Sequence, residues 1–145
     1  MRFLAVFLFL FSTAALASEV KLVCTISGKN FGKNTAENHK IIFDDSKKII
    51  CTGYPCSGSD IYKANETVSY VGYGGRENTN TVTSWSKELI EIRNYDGEVS
   101  VKQTLNRTSG VLHYVFINRN FEVRVNMKGP CKVVEKFDNE KPPKF

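Results

Sequence analysis

Two histidines, His39 and His113, are the side chains of this 145-residue chain best suited to proton transfer near neutral pH. A small hydrolase could use such a pair as general acid and base beside a carboxylate. His39 follows a polar segment and His113 lies in an apolar run, and nothing in the sequence brings them together. A secreted hydrolase using His39 and His113 is therefore kept as an alternative, and no catalytic residue is assigned.

Other catalytic and ligand-binding motifs are absent from the sequence. It contains no Gly-x-Ser-x-Gly elbow, no His-Glu-x-x-His pair and no Walker loop. The adjacent acids Asp44 and Asp45 are typical of a turn, and neither histidine stands at a zinc-site spacing from a second ligand. We expect no metal and no cofactor.

A glycine-rich segment, Gly72–Gly75, is the strongest candidate for ligand binding. It lies between Tyr70 and Trp85 and contains Tyr73. Aromatic side chains beside a flexible loop suit the binding of a sugar or a peptide, so Tyr70, Tyr73 and Trp85 are predicted to form a stacking surface. The alternative is an ordinary hairpin whose aromatic side chains belong to the core.

Four cysteines follow the N-terminal segment, and an even number in an exported chain indicates two disulfides. Of the three possible connectivities we favour Cys51–Cys56 and Cys24–Cys131. The first pair brackets the turn-forming segment Thr52–Pro55. The second would join the first predicted strand to the last.

The N-terminus predicts export. Arg2 precedes an apolar run from Phe3 to Phe11, and Ala15–Ala17 forms a small-residue cleavage site. Residues 1–17 are therefore predicted to be a signal peptide, residues 18–137 a single domain, and residues 138–145 a flexible tail. We expect the mature protein in the periplasm or outside the cell.

Hydrophobicity along the chain has a period of two. Apolar and polar residues alternate in the runs Val20–Ile26, Val99–Leu105 and Phe121–Met127, as in strands with one buried face. Turn residues recur about every ten positions, including Asp96-Gly97. The pattern predicts an all-β antiparallel meander of about seven to nine strands, forming a small barrel or a two-sheet sandwich.

Two segments interrupt this pattern. Gly28–Asn38 is polar and is predicted to be a long loop, with weak helical character from Lys33 to His39. Gly72–Thr81 is rich in glycine and asparagine and is predicted to be irregular.

The charge pattern limits the partners. The chain carries 20 basic and 15 acidic residues, for a net charge of +5, and the basic residues are scattered. Nucleic-acid binding usually requires a stripe of basic residues, so we expect no nucleic-acid partner. We also expect no stable membrane insertion. The alternative to a merely soluble surface is weak attraction to an acidic partner, such as anionic lipid, polysaccharide or an acidic protein face.

The segment Asn106–Leu112, followed by Gly129-Pro130-Cys131, resembles the ending of small exported bacterial β-proteins, with an Arg-x-Thr/Ser-Gly-x-Leu motif before Gly-x-Cys. The resemblance implies a periplasmic or secreted β-domain and implies no activity. In physical terms, Arg107–Gly110 is a turn, and Arg107 is predicted to pack its guanidinium across the end of the sheet.

Together these observations predict a monomeric, exported, non-enzymatic binding protein. Its partner would be a protein, a glycan or a small molecule. A structural protein of the envelope is a further alternative.

Overall fold

A computed structural model of the chain describes residues 19–137, apart from the side chain of Tyr73. The predicted signal peptide 1–17 and the predicted tail 138–145 lie outside the described residues. In chain order the strands are β1 (Glu19–Asn30), β2 (Lys33–Asp44), β3 (Ile49–Cys51), β4 (Ile61–Lys63), β5 (Val68–Val71), β6 (Glu77–Trp85), β7 (Leu89–Tyr95), β8 (Ser100–Asn106), β9 (Val111–Ile117) and β10 (Val123–Val134). Two single-turn 3₁₀ helices, Gly58–Asp60 and Tyr73–Gly75, complete the regular structure of this part of the chain.

All ten strands belong to one antiparallel sheet, in the order β4-β3-β2-β1-β10-β9-β8-β7-β6-β5. The sheet curls into a nearly closed barrel, because β4 at one edge also contacts β6 and β5 at the other. The predicted all-β antiparallel fold is confirmed, with ten strands where the sequence predicted seven to nine.

The period of two in the sequence sorts side chains between the interior and the outer surface of the barrel. Alternate residues along each strand point inward and pack into one apolar cluster. The buried members of this cluster are Leu22, Cys24, Ile26, Ile41, Phe43, Ile50, Tyr62, Ile90, Ile92, Leu105, Leu112, Val125 and Met127. Burial of such side chains is worth roughly 1.5–3 kcal/mol each before the entropy cost of folding is counted.

One end of the barrel, which we term the closed end, is covered by an arginine. Arg107 Nη1 donates to the Ser86 carbonyl at 2.8 Å, and its guanidinium pairs with Asp45 and lies 5.2 Å from the centroid of the Phe43 ring. Trp85 Nε1 donates to the same Asp45 carboxylate at 3.1 Å. This arrangement matches the role that the sequence predicted for Arg107.

Both predicted disulfides are present, Cys24–Cys131 and Cys51–Cys56. Cys24 and Cys131 lie directly opposite each other on β1 and β10, so their bond joins neighbouring strands. Cys51 and Cys56 flank the segment after β3. The two disulfides indicate an oxidising, exported environment.

The predicted loop at Gly28–Asn38, with its weak helical segment from Lys33 to His39, is wrong. These residues form the outer half of a long hairpin, in which β1 and β2 pair without interruption from Glu19↔Asp44 to Asn30↔Lys33. The connection is a two-residue turn, Phe31-Gly32, with φ of 46° and 82°. Both faces of this half of the hairpin are largely polar, so the apolar alternation that identifies a strand is missing. Phe31 also occupies the turn position where asparagine is usual in a two-residue hairpin.

The prediction that Gly72–Thr81 is irregular is wrong in its second half, and the other predicted connections agree with the structure. The segment between β5 and β6 is irregular only as far as Arg76, because Glu77–Trp85 forms β6. Asp96-Gly97 and Arg107–Gly110 connect strands, with Gly97 and Gly110 at φ of 89° and 66°. Within residues 19–137, no helix has the length and apolar character needed to cross a bilayer.

Candidate binding surface

Large apolar side chains are exposed mainly at the end of the barrel opposite Arg107. Seven such side chains are exposed within residues 19–137, and five of them share that end. These five, which we call the apolar rim, are Phe31, Val71, Tyr95, Phe121 and Val123. Scattered exposed apolar residues are normal, so their concentration at one end of the barrel is the notable feature.

The strand register places the rim at one end. Tyr95 pairs with Ser100, Ser100 with Ile117, and Ile117 with Val123, across β7 to β10. On the next strand, Asn30 pairs with Val125, and Phe31 follows it directly. Val71, the last residue of β5, pairs with Glu77 at the start of β6 and so lies at the same end.

Two rim residues have an unfavourable backbone. Phe31 and Phe121 have φ of 46° and 60°, in the left-handed region that bulky residues seldom occupy. Their side chains are nevertheless 66% and 90% exposed, although the Phe31 ring also packs 5.8 Å from the Phe116 ring, centroid to centroid. The left-handed region costs an L-residue roughly 1–2 kcal/mol, and such strain is concentrated at functional sites.

A polar groove runs down the outer surface of the barrel from the rim. It has a volume of about 460 Å³ and crosses β2, β1, β10 and β9. Its lining consists of Ser27, Gly28, Lys29, Asn34, His113, Asn126 and Lys128. We call it the basic groove, because it combines two lysines and a histidine with no acidic residue among its described lining.

The barrel end beneath the rim carries polar side chains beside the buried Val125 and Met127. His39 Nε2 lies 3.6 Å from Glu37 Oε2, and the His39 ring lies 5.4 Å from the Tyr114 ring, centroid to centroid. Burial raises the pKa of the Tyr114 hydroxyl, with a further contribution from the Glu37 carboxylate. Asn30 Nδ2 donates to Glu37 Oε1 at 2.9 Å, so the hairpin holds this carboxylate from both strands.

The residues predicted to stack a ligand do not lie together. Tyr70 lies in the rim half of the barrel, where its hydroxyl accepts a 2.8 Å hydrogen bond from Asn94 Nδ2. Trp85 belongs to the closed end. Because Tyr70 pairs with Asn78, β6 separates it from Trp85 by about 20 Å at about 3.3 Å per residue. The turn containing Tyr73 lies at the rim end, and its side chain is outside the described part.

The two histidines are also separated. His39 faces the interior, since its strand buries Ile41 and Phe43 on the same side. His113 faces outward from between Leu112 and Tyr114, and its Nε2 lies 2.8 Å from Asn126 Oδ1 on the outer surface. The sheet lies between the two imidazoles, so the geometry does not form the acid–base pair that the hydrolase alternative requires.

A second concave surface lies at the closed end. This cleft has a volume of about 250 Å³ and is lined mainly by apolar side chains, including Val20, Leu22, Phe43 and Val133, with Arg107 beside them. The Arg107 guanidinium is already engaged by Asp45, Ser86 and the Phe43 ring. The cleft could hold a small apolar group without a dedicated polar contact.

Among residues 19–137 no three His, Cys, Asp or Glu side chains are grouped so that they could hold a metal ion. No protein-family model, curated protein or solved structure matches the chain. The resemblance to small exported bacterial β-proteins therefore remains a prediction from the sequence.

Sequence reasoning missed the rim. Phe31 lay in the segment predicted as a loop, and Phe121 was assigned to an alternating strand run. The available signal was the neighbourhood of each phenylalanine, since Lys29-Asn30-Phe31-Gly32-Lys33 and Arg119-Asn120-Phe121 place an aromatic residue among turn formers and basic residues.

Proposed function

We propose that this chain is an exported, non-enzymatic binding protein of the periplasm or the extracellular space, and that it binds its partner through the apolar rim. The observation that carries the proposal is the exposure of five large apolar side chains at one end of the barrel, two of them on left-handed backbone. Phe31 also packs on Phe116, with ring centroids 5.8 Å apart, but Phe121, at 90% exposure, gains little from burial.

The rest of the barrel supports this assignment. The opposite end is covered by Arg107, Asp45 and Trp85, which bond to one another and to the strand ends. The rim end instead presents apolar groups beside the basic groove. An interface with an apolar centre and a polar surround has this composition.

Affinity capture from envelope and extracellular extract tests the proposal. The disulfide-bonded protein is immobilised and compared with the double variant Phe31→Ser/Phe121→Ser. We expect the partner retained by the native protein to be reduced at least tenfold with the variant.

Val133→Ser is the matched control, because Val133 is 74% exposed and lies beside the cleft of the closed end. This control should retain the partner fully. Loss of the partner with Val133→Ser and not with the rim variant would contradict the proposal and point to the closed-end cleft.

A further inference from the structure

We propose that one side of the apolar rim docks on an anionic lipid surface, with Phe31 and Phe121 entering the interface and the neighbouring basic residues contacting phosphate-bearing headgroups. This inference rests on the proposed function, since it identifies the partner class of the same rim. It concerns reversible attachment of a folded barrel, without a spanning segment.

The two phenylalanines lie on adjacent projecting turns. Phe31 is at the tip of the β1–β2 hairpin, and its backbone N–H donates to the Arg124 carbonyl on β10 at 2.8 Å. Phe121 is in the turn between β9 and β10, where its N–H donates to the Asn118 carbonyl at 2.9 Å. Aromatic residues on projecting turns can enter the headgroup region of a bilayer while the strands behind them stay in water.

Basic residues surround both turns. Lys29 and Lys33 flank the hairpin tip, and Arg119 lies two residues before Phe121; all three are exposed. Each basic residue near an anionic membrane surface contributes favourable attraction, which salt weakens. Aromatic insertion and basic contacts would act together, because interfacial binding strengthens with both buried apolar area and attraction to anionic lipids.

The acidic residues on this side of the rim are engaged within the protein. Glu122, next to Phe121, pairs with Arg124, and Glu37 is held by Asn30 and His39. Across the rim, Tyr95 lies near Asp96 and Glu98, which face Arg76. The charge distribution therefore favours docking by the β1–β2 and β9–β10 turns, with the Tyr95 side turned away.

The basic groove extends the contact to headgroups. It begins at Lys29 beside the hairpin tip and continues to Lys128 and His113 on the outer surface. With Phe31 in the interface, this groove would stand at the level of the lipid phosphates. Its amide side chains Asn34 and Asn126 could donate hydrogen bonds to phosphate oxygens.

Vesicle sedimentation tests the inference. The native, disulfide-bonded protein is mixed with vesicles of equal parts phosphatidylglycerol and phosphatidylcholine, and separately with pure phosphatidylcholine vesicles. We expect binding to the anionic vesicles, at least tenfold weaker binding to the neutral ones, and a decline as salt is raised.

Three variants locate the contact, after thermal melts confirm that each is folded. Phe31→Ser/Phe121→Ser and Lys29→Gln/Lys33→Gln should each weaken binding to the anionic vesicles about tenfold or more. Lys132→Gln/Lys136→Gln removes the same charge from exposed positions away from the rim and should have less than a twofold effect.

Two results would overturn the inference. One is absence of binding to anionic vesicles; the other is an equal loss with the Lys132/Lys136 control, which would indicate diffuse charge attraction. If the protein does not bind anionic vesicles but affinity capture still depends on Phe31 and Phe121, the rim binds a different partner and the proposed function stands. If vesicle binding is absent and capture does not depend on these two residues, the proposed function is wrong as well.

Discussion

Phe121 is the single residue that most strongly supports a binding surface at the rim. Its side chain is 90% exposed and its φ is 60°, so neither burial nor backbone preference favours phenylalanine there. Asparagine tolerates the left-handed region far better, because its short polar side chain can bond locally. Unfavourable backbone conformations are concentrated at functional sites, so this residue supports a binding surface at the rim.

Replacement of this residue should separate stability from binding. We expect Phe121→Asn to increase the free energy of unfolding by about 0.5–1 kcal/mol, through relief of the left-handed strain, while rim-dependent binding falls. Urea unfolding monitored by circular dichroism measures the first effect. Val123→Asn, in an exposed strand position, is the control and should bring no gain in stability. A clear loss of stability for Phe121→Asn would show that the phenylalanine serves the fold.

A second residue-scale prediction concerns acid stability. Asp44 Oδ1 accepts hydrogen bonds from the Ser46 hydroxyl and from the backbone N–H groups of Ser46 and Lys47. The Ser46 hydroxyl contributes most, followed by the Lys47 backbone N–H and the Lys47 ammonium 3.2 Å away, and together they lower the pKa of Asp44 from 3.8 to about 2. Because the folded pKa is lowered, the stabilisation is complete above pH 4 and is lost as the pH falls towards 2.

Asp44→Asn tests this directly, since the amide oxygen can still accept a hydrogen bond but does not titrate. We expect the melting temperature of the variant to fall less steeply between pH 4 and pH 2 than that of the native protein. Identical pH slopes for the two proteins would contradict the role assigned to Asp44.

At the scale of elements, a buried asparagine joins the edge strand β4 to β6, the strand next to the opposite edge. Asn80 on β6 is fully buried, and its Nδ2 donates to the carbonyls of Ser59 and Ile61 at 2.9 Å each. Its Oδ1 accepts from Asn94 Nδ2 at 2.7 Å. The side chain therefore supplies bonds that the short edge strand β4 would otherwise lack.

Removal of this side chain should weaken the closure of the barrel. Asn80→Ala removes three hydrogen bonds, two to the Ser59 and Ile61 carbonyls and one from Asn94, whose amide nitrogen keeps its bond to the Tyr70 hydroxyl. Their loss costs about 2–4 kcal/mol when summed over the bonds. Equilibrium urea unfolding measures the loss. Asn120→Ala, at an exposed turn position, is the control and should change stability by less than about 0.5 kcal/mol. A similar small effect for Asn80→Ala would mean that the edges are held together by other contacts.

The strands also show which parts of the fold could be predicted from the sequence. Alternation identified strands wherever one face is buried, as in Ile90 and Ile92 on β7, and turn residues located the connections near Gly97 and Gly110. Alternation did not identify the strands in the outer half of the β1–β2 hairpin, because neither face there carries apolar residues at regular spacing. Tyr70 and Trp85 were predicted to lie together because they are close in sequence. The extended strand β6 instead places them towards opposite ends of the barrel.

At the scale of the whole molecule, one disulfide joins the beginning of the chain to its end. Cys24 and Cys131 are 107 residues apart in sequence, against five for Cys51 and Cys56. Closure of the longer loop restricts the unfolded chain more. The same bond fixes β1 against β10, and these two strands carry the bases of both phenylalanine turns.

The two disulfides should therefore differ in their contribution to stability. We expect Cys24→Ala/Cys131→Ala to cost roughly 5 kcal/mol and Cys51→Ala/Cys56→Ala roughly 2 kcal/mol in the chain-entropy estimate. Denaturant unfolding of both double variants under the same conditions provides the comparison. Equal losses, or a larger loss for the shorter loop, would contradict this assignment.

Binding through one end of the barrel can be tested by residue-resolved covalent footprinting. The native protein is labelled by carbene insertion alone and again in the presence of envelope extract. We expect labelling of Phe31 and Phe121 to fall several-fold, while labelling of Val133 and Tyr54, exposed elsewhere, stays constant. Protection of Val133 with the two phenylalanines unchanged would place binding at the closed end and exclude binding through the rim.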